Sequence, residues 1–273
     1  EGIGKLLKKY AVPGIIAMTA SSLYNMVDSM FIGHIPGVGS LALSGLAVCF
    51  PLMNLGAALG TLVGVGGSTL VSVFLGQKNY KGSNKVLANV VTLNCITGLL
   101  FILLCLPFLD RILYFFGASD NTIGFARDYM LIILLGNVIT HLYFGLNSMI
   151  RSAGNPKLAM GLTLFTVISN TILDPVFIFV FKLGIRGAAI ATILCQALAM
   201  AYSLRYFTRK DNLLHLPKGI FALDWRIAKD SLSIGLGPFL MNAASCIVTM
   251  FINQQLLKYG GGPALGGNLE RTQ

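Results

Sequence analysis

Residues 159–181 read AMGLTLFTVISNTILDPVFIFVF, an apolar run interrupted by a single carboxylate, Asp174. About 20 residues of α-helix cross a hydrocarbon core of about 30 Å, and the run lacks the period-two alternation of a barrel strand. Backbone groups in lipid must be paired within a helix or a closed barrel, so this stretch predicts a membrane-spanning helix. Further apolar runs near 11–32, 42–74, 86–109, 127–150, 187–204 and 231–257 have the same character. The fold class expected is therefore all-α and integral to the membrane, with seven candidate helices.

Composition agrees. Hydrophobic residues make up 55% of the 273-residue chain and charged residues 11%, with a mean hydropathy of +0.76. A soluble domain of that composition would have to expose far more apolar surface than such domains do. The first run carries Asp28 in its interior and is too long for a cleaved leader. All five cysteines (Cys49, Cys95, Cys105, Cys195 and Cys246) fall in apolar runs without CxxC spacing or histidine partners, which reads as small buried hydrophobes rather than disulfides or metal ligands. His34, His141 and His215 are scattered and form no HExxH motif; His141, in mid-run, is either a hydrogen-bonded structural residue or a member of a proton relay.

The net charge of +10 would suit a nucleic-acid partner, but the placement of the charges argues against one. If the runs alternate across the bilayer, Lys5, Lys8, Lys9, Lys78, Lys81, Lys85, Arg151, Lys157, Arg205, Arg209, Lys210, Lys218, Arg226 and Lys229 share one side, fourteen of the twenty basic residues. Arg111, Arg127, Lys182, Arg186, Lys258 and Arg271 fall on the other. The positive-inside rule then places the N-terminus in the cytoplasm and lipid around the chain.

The polar stretch 205–230, with Pro217 and Gly219, reads as a cytoplasmic linker between two units. An offset of 220 residues aligns Lys9 with Lys229 and Met30-Phe31-Ile32 with Met250-Phe251-Ile252, as expected if a six-helix unit starts again. The organisation expected is a six-helix lobe over 1–204, the linker, the first helix of a second lobe over 231–259, and a Gly-rich unstructured tail over 260–273. A partner lobe beyond this chain is expected. Val248 stands opposite Asp28 in this register.

Asp28 and Asp174 are the only acidic residues inside long apolar runs. An ionised Asp at the centre of a membrane helix costs roughly 2.5–3.5 kcal/mol on translocation scales, so each should face a polar cavity or a partner. Helical spacing puts Ser21, Tyr24, Asn25 and Asp28 on one face of the first run, and Thr163, Thr166, Asn170 and Asp174 on one face of the fifth. Thr192 and Gln196 form an i, i+4 pair in the sixth. Pro175 removes the N–H that would bond the Thr171 carbonyl and predicts a kink beside Asp174; a freed carbonyl beside a carboxylate and an amide suits a proton or small cation. The alternative for the neutral polar residues is interhelical bonding alone. Gly56, Gly60 and Gly64, followed by Gly66 and Gly67, predict close helix packing, and Pro51 predicts a bend in the same helix. Asn147 and Ser148, ahead of Arg151, read either as cavity lining or as a helix cap.

Several ordered motifs resemble the multidrug and toxic compound extrusion (MATE) family, in particular its bacterial and archaeal DinF-like and MepA-like members. They are Asn25-Met-Val-Asp28-Ser-Met-Phe-Ile-Gly33, Leu75-Gly-Gln-Lys-Asn-Tyr80, Ile150-Arg-Ser-Ala-Gly-Asn-Pro-Lys157, Asn170-Thr-Ile-Leu-Asp-Pro-Val-Phe-Ile178 and Gly184-Ile-Arg-Gly-Ala-Ala-Ile-Ala-Thr192. The resemblance, running to about Gly260, implies one lobe of a two-lobed antiporter in a prokaryotic plasma membrane. It implies export of cationic or amphipathic drugs in exchange for protons or sodium ions, with no cofactor and no enzymatic reaction. By position it implies a cation site of Asp28, Asn170, Asp174 and Thr192, and a substrate cavity that includes Tyr24 and Asn147. Ser21, Asn25 and Gln196 join the cavity through the polar stripes.

Two other readings compete. A lipid-linked oligosaccharide flippase of the same superfamily would need several intramembrane Arg or Lys residues for a pyrophosphate, and the runs hold none away from their ends. An intramembrane aspartyl protease also uses two aspartates, but in Tyr-Asp and Gly-x-Gly-Asp settings, whereas Val27 and Leu173 precede the aspartates here.

Overall fold

The computed structural model describes residues 3–209, 212–217 and 223–272, with the backbone path alone for 260–272. The helices are α1 (Ile3–Gly33), α2 (Gly39–Gly76), α3 (Tyr80–Cys105), α4 (Leu109–Phe115), α5 (Ile123–Leu135), α6 (Asn137–Ser152), α7 (Pro156–Pro175), α8 (Ile185–Thr208) and α9 (Trp225–Thr272). Among the described residues, six helical spans are long and apolar enough to cross a membrane, and seven if α5 and α6 make one span. The chain is an all-α, multi-pass membrane protein.

Three features differ from the sequence reading. The run 127–150 is two helices that meet at Gly136 with a 55° bend: glycine carries no Cβ to hold the turn, and a methyl group there would press on the Ile193 side chain of α8. The expected start of a second unit at 231 moves back to Trp225, because Asp224 caps the helix through its Oδ1, which accepts from Arg226 N at 3.1 Å and Ile227 N at 3.5 Å. The stretch 260–272, expected as an unstructured tail, continues α9 as far as Thr272. Helix propagation adds one bond per residue onto turns already formed, which offsets the weak propensity of the glycines; Gln273 lies outside the described residues. In the linker, so do Lys210, Asp211 and 218–222.

Pro175 behaves as its chemistry requires. The α-helix ends there and the chain passes into a π turn over Val176–Val180.

With lipid as apolar as leucine, helices associate through close packing rather than the hydrophobic effect. The α2 glycines supply it: a Cβ on Gly56 would lie 3.2 Å from Asn137 Oδ1, one on Gly60 3.3 Å from the His141 ring, and one on Gly64 3.2 Å from the Gly145 Cα, all on α6. Farther along, Gly66 meets the Ser231 carbonyl and Gly235 meets that of Leu62 with no room for a methyl group, so α2 and α9 cross backbone to backbone. Many large apolar side chains on the outer faces of α1, α3, α7 and α9 remain exposed, among them Ile15, Leu103, Ile172 and Phe251.

The buried apolar residues form two clusters. One holds Ile32, Leu46, Phe101, Tyr129, Leu134 and Ile178; the other holds Val63, Val90, Leu146, Met149, Ala199 and Phe207. Along α3, along the bent α5–α6 span and along α8, buried polar residues fall between the two: Asn94, then Asn137 and His141, then Thr192. A polar belt thus crosses the middle of the bundle.

Candidate functional site

The belt is where α1, α6, α7 and α8 converge. The carboxyl groups of Asp28 and Asp174 face each other across the α1–α7 contact within reach of a shared hydrogen bond. Asp28 is 5% exposed and Asp174 0%. Oδ1 of Asp28, both carboxyl oxygens of Asp174 and Oδ1 of Asn170 are buried with no hydrogen-bond donor among the described residues. A carboxylate only accepts, so two facing carboxylates satisfy each other only when one carries a proton, or when a small cation bridges them.

Asn170 sits beside Asp174, and its Nδ2 donates to Thr192 Oγ1 at 3.3 Å. The Tyr24 hydroxyl lies 2.9 Å from the same Thr192 oxygen. One threonine therefore ties α1, α7 and α8 together beside the carboxyl pair. The oxygen-only ligand set of Asp28, Asp174 and Asn170 fits a proton or a hard cation such as sodium. Among the described residues, no group of three or more His, Cys, Asp and Glu side chains could hold a metal ion.

Two cavities flank this cluster. One of about 720 Å³ is lined by Ser21, Tyr24, Asn25, Asn147, Arg151, Thr163, Thr166, Asn170, Thr192 and Gln196. A smaller one of about 230 Å³ has Asp28 in its wall and shares Tyr24, Asn25, Phe144, Thr192 and Gln196 with the first. Every cavity residue expected from the sequence lies on the larger wall. Asn25 is exposed, and Ser21 Oγ donates to its own helix at Ala17 O, 2.9 Å away. Asn147 caps no helix; it bridges α6 to α7 through Nδ2, 3.1 Å from Ala159 O, and accepts from Arg151 Nη2 at 3.4 Å.

Three residues of the wall escaped the sequence reading. Thr140 donates to Gln196 Oε1 at 2.6 Å, the Tyr143 hydroxyl lies 3.1 Å from Thr166 Oγ1, and Thr61 contributes from α2. The signal was present in α6, where Asn137, Thr140, Phe144, Asn147 and Arg151 recur at helical spacing. Reading 127–150 as one unbroken helix obscured it. His141 is fully buried, with Nε2 3.2 Å from Asn137 Nδ2 and Nδ1 3.3 Å from Thr97 Oγ1, and so knits α6 to α3 on the far side of α6 from the carboxyl pair.

A family model described as MatE matches residues 13–176. The chain belongs to the MATE family. The multidrug export protein MepA of Staphylococcus haemolyticus (strain JCSC1435) is 30% identical to it over 260 residues, 95% of this chain and 57% of MepA. MepA of Staphylococcus aureus (strain MRSA252) is 28% identical over 256 residues, 94% of this chain and 56% of that protein. Among solved structures, the MATE multidrug transporter DinF-BH, in complex with a cationic dye, superposes with a TM-score of 0.92 at 31% identity, covering 100% of this chain and 60% of that one. A MATE in complex with MaD3S gives 0.83 at 26% identity, covering 94% of this chain and 58% of that one. This MATE chain thus spans a little over half the length of the curated relatives it matches. Its relatives are transporters, not enzymes, so the protease reading fails.

Proposed function

We propose that this chain forms the first lobe of a cation-coupled antiporter that exports cationic or amphipathic drugs from a prokaryotic cell. The observation that carries the proposal is the carboxyl pair, buried and short of donors, set against a wide polar cavity through a shared wall. Asp28, Asp174 and Asn170 would hold the coupling proton or sodium ion, with Thr192 orienting Asn170. Ser21, Tyr24, Asn25, Asn147 and Gln196 would line the substrate path.

The coupling follows from charge. An ionised pair of facing aspartates in a dry site is costly, and that cost falls when either a cation or a cationic substrate is near. Two ligands that relieve the same charge compete, and competition between them is the exchange an antiporter needs. Rocking of this lobe against a second one would expose the site to each side in turn. The N-terminus would face the cytoplasm and 205–230 would join the two lobes.

A flippase for a pyrophosphate-bearing lipid calls for several cations in the cavity. Arg151 is the one Arg or Lys on the two walls described.

The test uses vesicles containing this lobe completed by a second lobe from a relative. Asp28→Asn and Asp174→Asn should each abolish dye movement driven by a proton or sodium gradient. Movement of a cationic dye at the parental rate, with unchanged pH and sodium dependence in both variants, would overturn the proposal.

A further inference from the structure

Pro51 lies inside α2. Having no N–H, it leaves the carbonyl of the residue four positions earlier, Ala47, without a helical partner. Ala47 is 4% exposed, so water does not reach it freely. The partner comes from α9: Asn253, itself 3% exposed, donates its Nδ2 to Ala47 O at 3.1 Å. One turn along α2, Pro51 O accepts from Cys246 Sγ at 3.1 Å, and Gln254 Nε2 reaches Phe115 O at the end of α4 at 2.8 Å.

The other end of the same seam is built differently. There α2 and α9 cross at Gly66 and Gly235 with backbones in direct contact. The start of α9 is anchored as well, because Asp224 N donates to Asn89 Oδ1 at 2.9 Å and His215 N to Asn84 Oδ1 at 3.0 Å, both on α3. From Gly66 to Ala47 is about 28 Å of helix at about 1.5 Å per residue, so a rotation of about 10° at the crossing parts the far end by about 5 Å.

We propose that Asn253 is the positioning residue of a gate between α2 and α9. It latches α9 over the proline break of α2, and the seam opens by rotation about the Gly66–Gly235 crossing. Leu46 and Phe50, which directly precede Ala47 and Pro51, stand in the wall of the cavity that contains Asp28, so this opening admits water beside the carboxyl pair. The Ala47 carbonyl has two states of comparable cost, bonded to Asn253 when the seam is closed and to water when it is open, which is what a two-position element requires. The gate's part in transport rests on the antiporter reading; the latch itself does not.

The experiment places one reporter thiol, Met250→Cys, in the full chain with the five native cysteines removed and Cys246→Ser retaining a donor. Labelling by N-ethylmaleimide in membranes reads water entry into the seam. Asn253→Leu leaves the Ala47 carbonyl unpaired in the closed state and should speed labelling about tenfold. Adding Pro51→Ala restores an N–H for that carbonyl, and the double variant should return to within about twofold of the parent. Labelling of Asn253→Leu at the parental rate overturns the latch. So does a double variant that labels as fast as the single one, which is also the result if Asn253→Leu merely misfolds. Dye export is scored separately: vesicles that export nothing yet show this labelling pattern keep the latch and remove the antiporter reading.

Discussion

Tyr24 and Thr192, on α1 and α8, lie 2.9 Å apart, oxygen to oxygen, in the partition between the two cavities. Thr192 also accepts from Asn170, so its hydroxyl serves three helices at once. Removing one partner of such a network costs less than removing its centre. Tyr24→Phe should lower stability by about 1 kcal/mol, and Thr192→Val, which strands both Tyr24 and Asn170, by about 2–3 kcal/mol. Thermal unfolding in detergent measures both. Equal losses would show that the threonine is not the hub.

Replacing one aspartate with asparagine turns an acceptor-only group into a donor. Asp174→Asn can give Asp28 the N–H that the described residues withhold from it. The variant should insert normally and unfold at or above the parental temperature, since an unpaired buried polar group costs about 1–3 kcal/mol. Asp174→Leu leaves Asp28 facing an apolar group and should be the less stable of the two. A stability order reversed from this would mean that the pair is already satisfied.

The α2 glycines offer a graded test of packing. Gly60 already stands at the His141 ring, so Gly60→Val should push α6 away and cost about 1–3 kcal/mol. Gly161 on α7 has open space on its side-chain face, with nothing within 4 Å of where a methyl group would stand. Gly161→Ala should therefore stabilise by about 0.5–1 kcal/mol by lowering the entropy lost on folding. Similar thermal shifts for the two would remove close packing as the reason for the GxxxG pattern.

Orientation is open to chemical labelling. On the side that the charge count puts outside, Arg127 is paired with Asp110 and Arg186 with Asp128, which lowers the net positive charge there further. Asn121, in the loop that includes Ser119, and Lys81, at the start of α3, are both exposed. Single cysteines at these positions should react with an impermeant maleimide in intact cells at 121 and stay protected at 81. The opposite pattern would invert the topology.

The membrane class, the span positions and the importance of Asp28 and Asp174 were legible in the sequence because they are local properties. Apolar length measures a helix against a bilayer, and a lone carboxylate in such a run is costly wherever its helix packs. The polar faces of α1 and α7 were legible for a related reason, since helical periodicity fixes which residues share a side. The same reasoning marked Pro175 as the end of regular α-helix, and the π turn follows it.

What the residues meet is another matter. Helix pairing depends on summed close contacts between segments far apart in the chain, and no single run encodes it. Only the packed bundle brings Tyr24 to Thr192, Thr140 to Gln196 and Asn253 to Ala47. The Gly136 break and the helical course of 260–272 were likewise decided outside their own segments, the first where the α5–α6 junction meets α8 and the second by turns already formed in α9. Amino-acid chemistry alone determined that two carboxylates would lie in an apolar medium and need a partner; the tertiary structure decided that the partner of each is the other, because the α1–α7 contact sets them face to face.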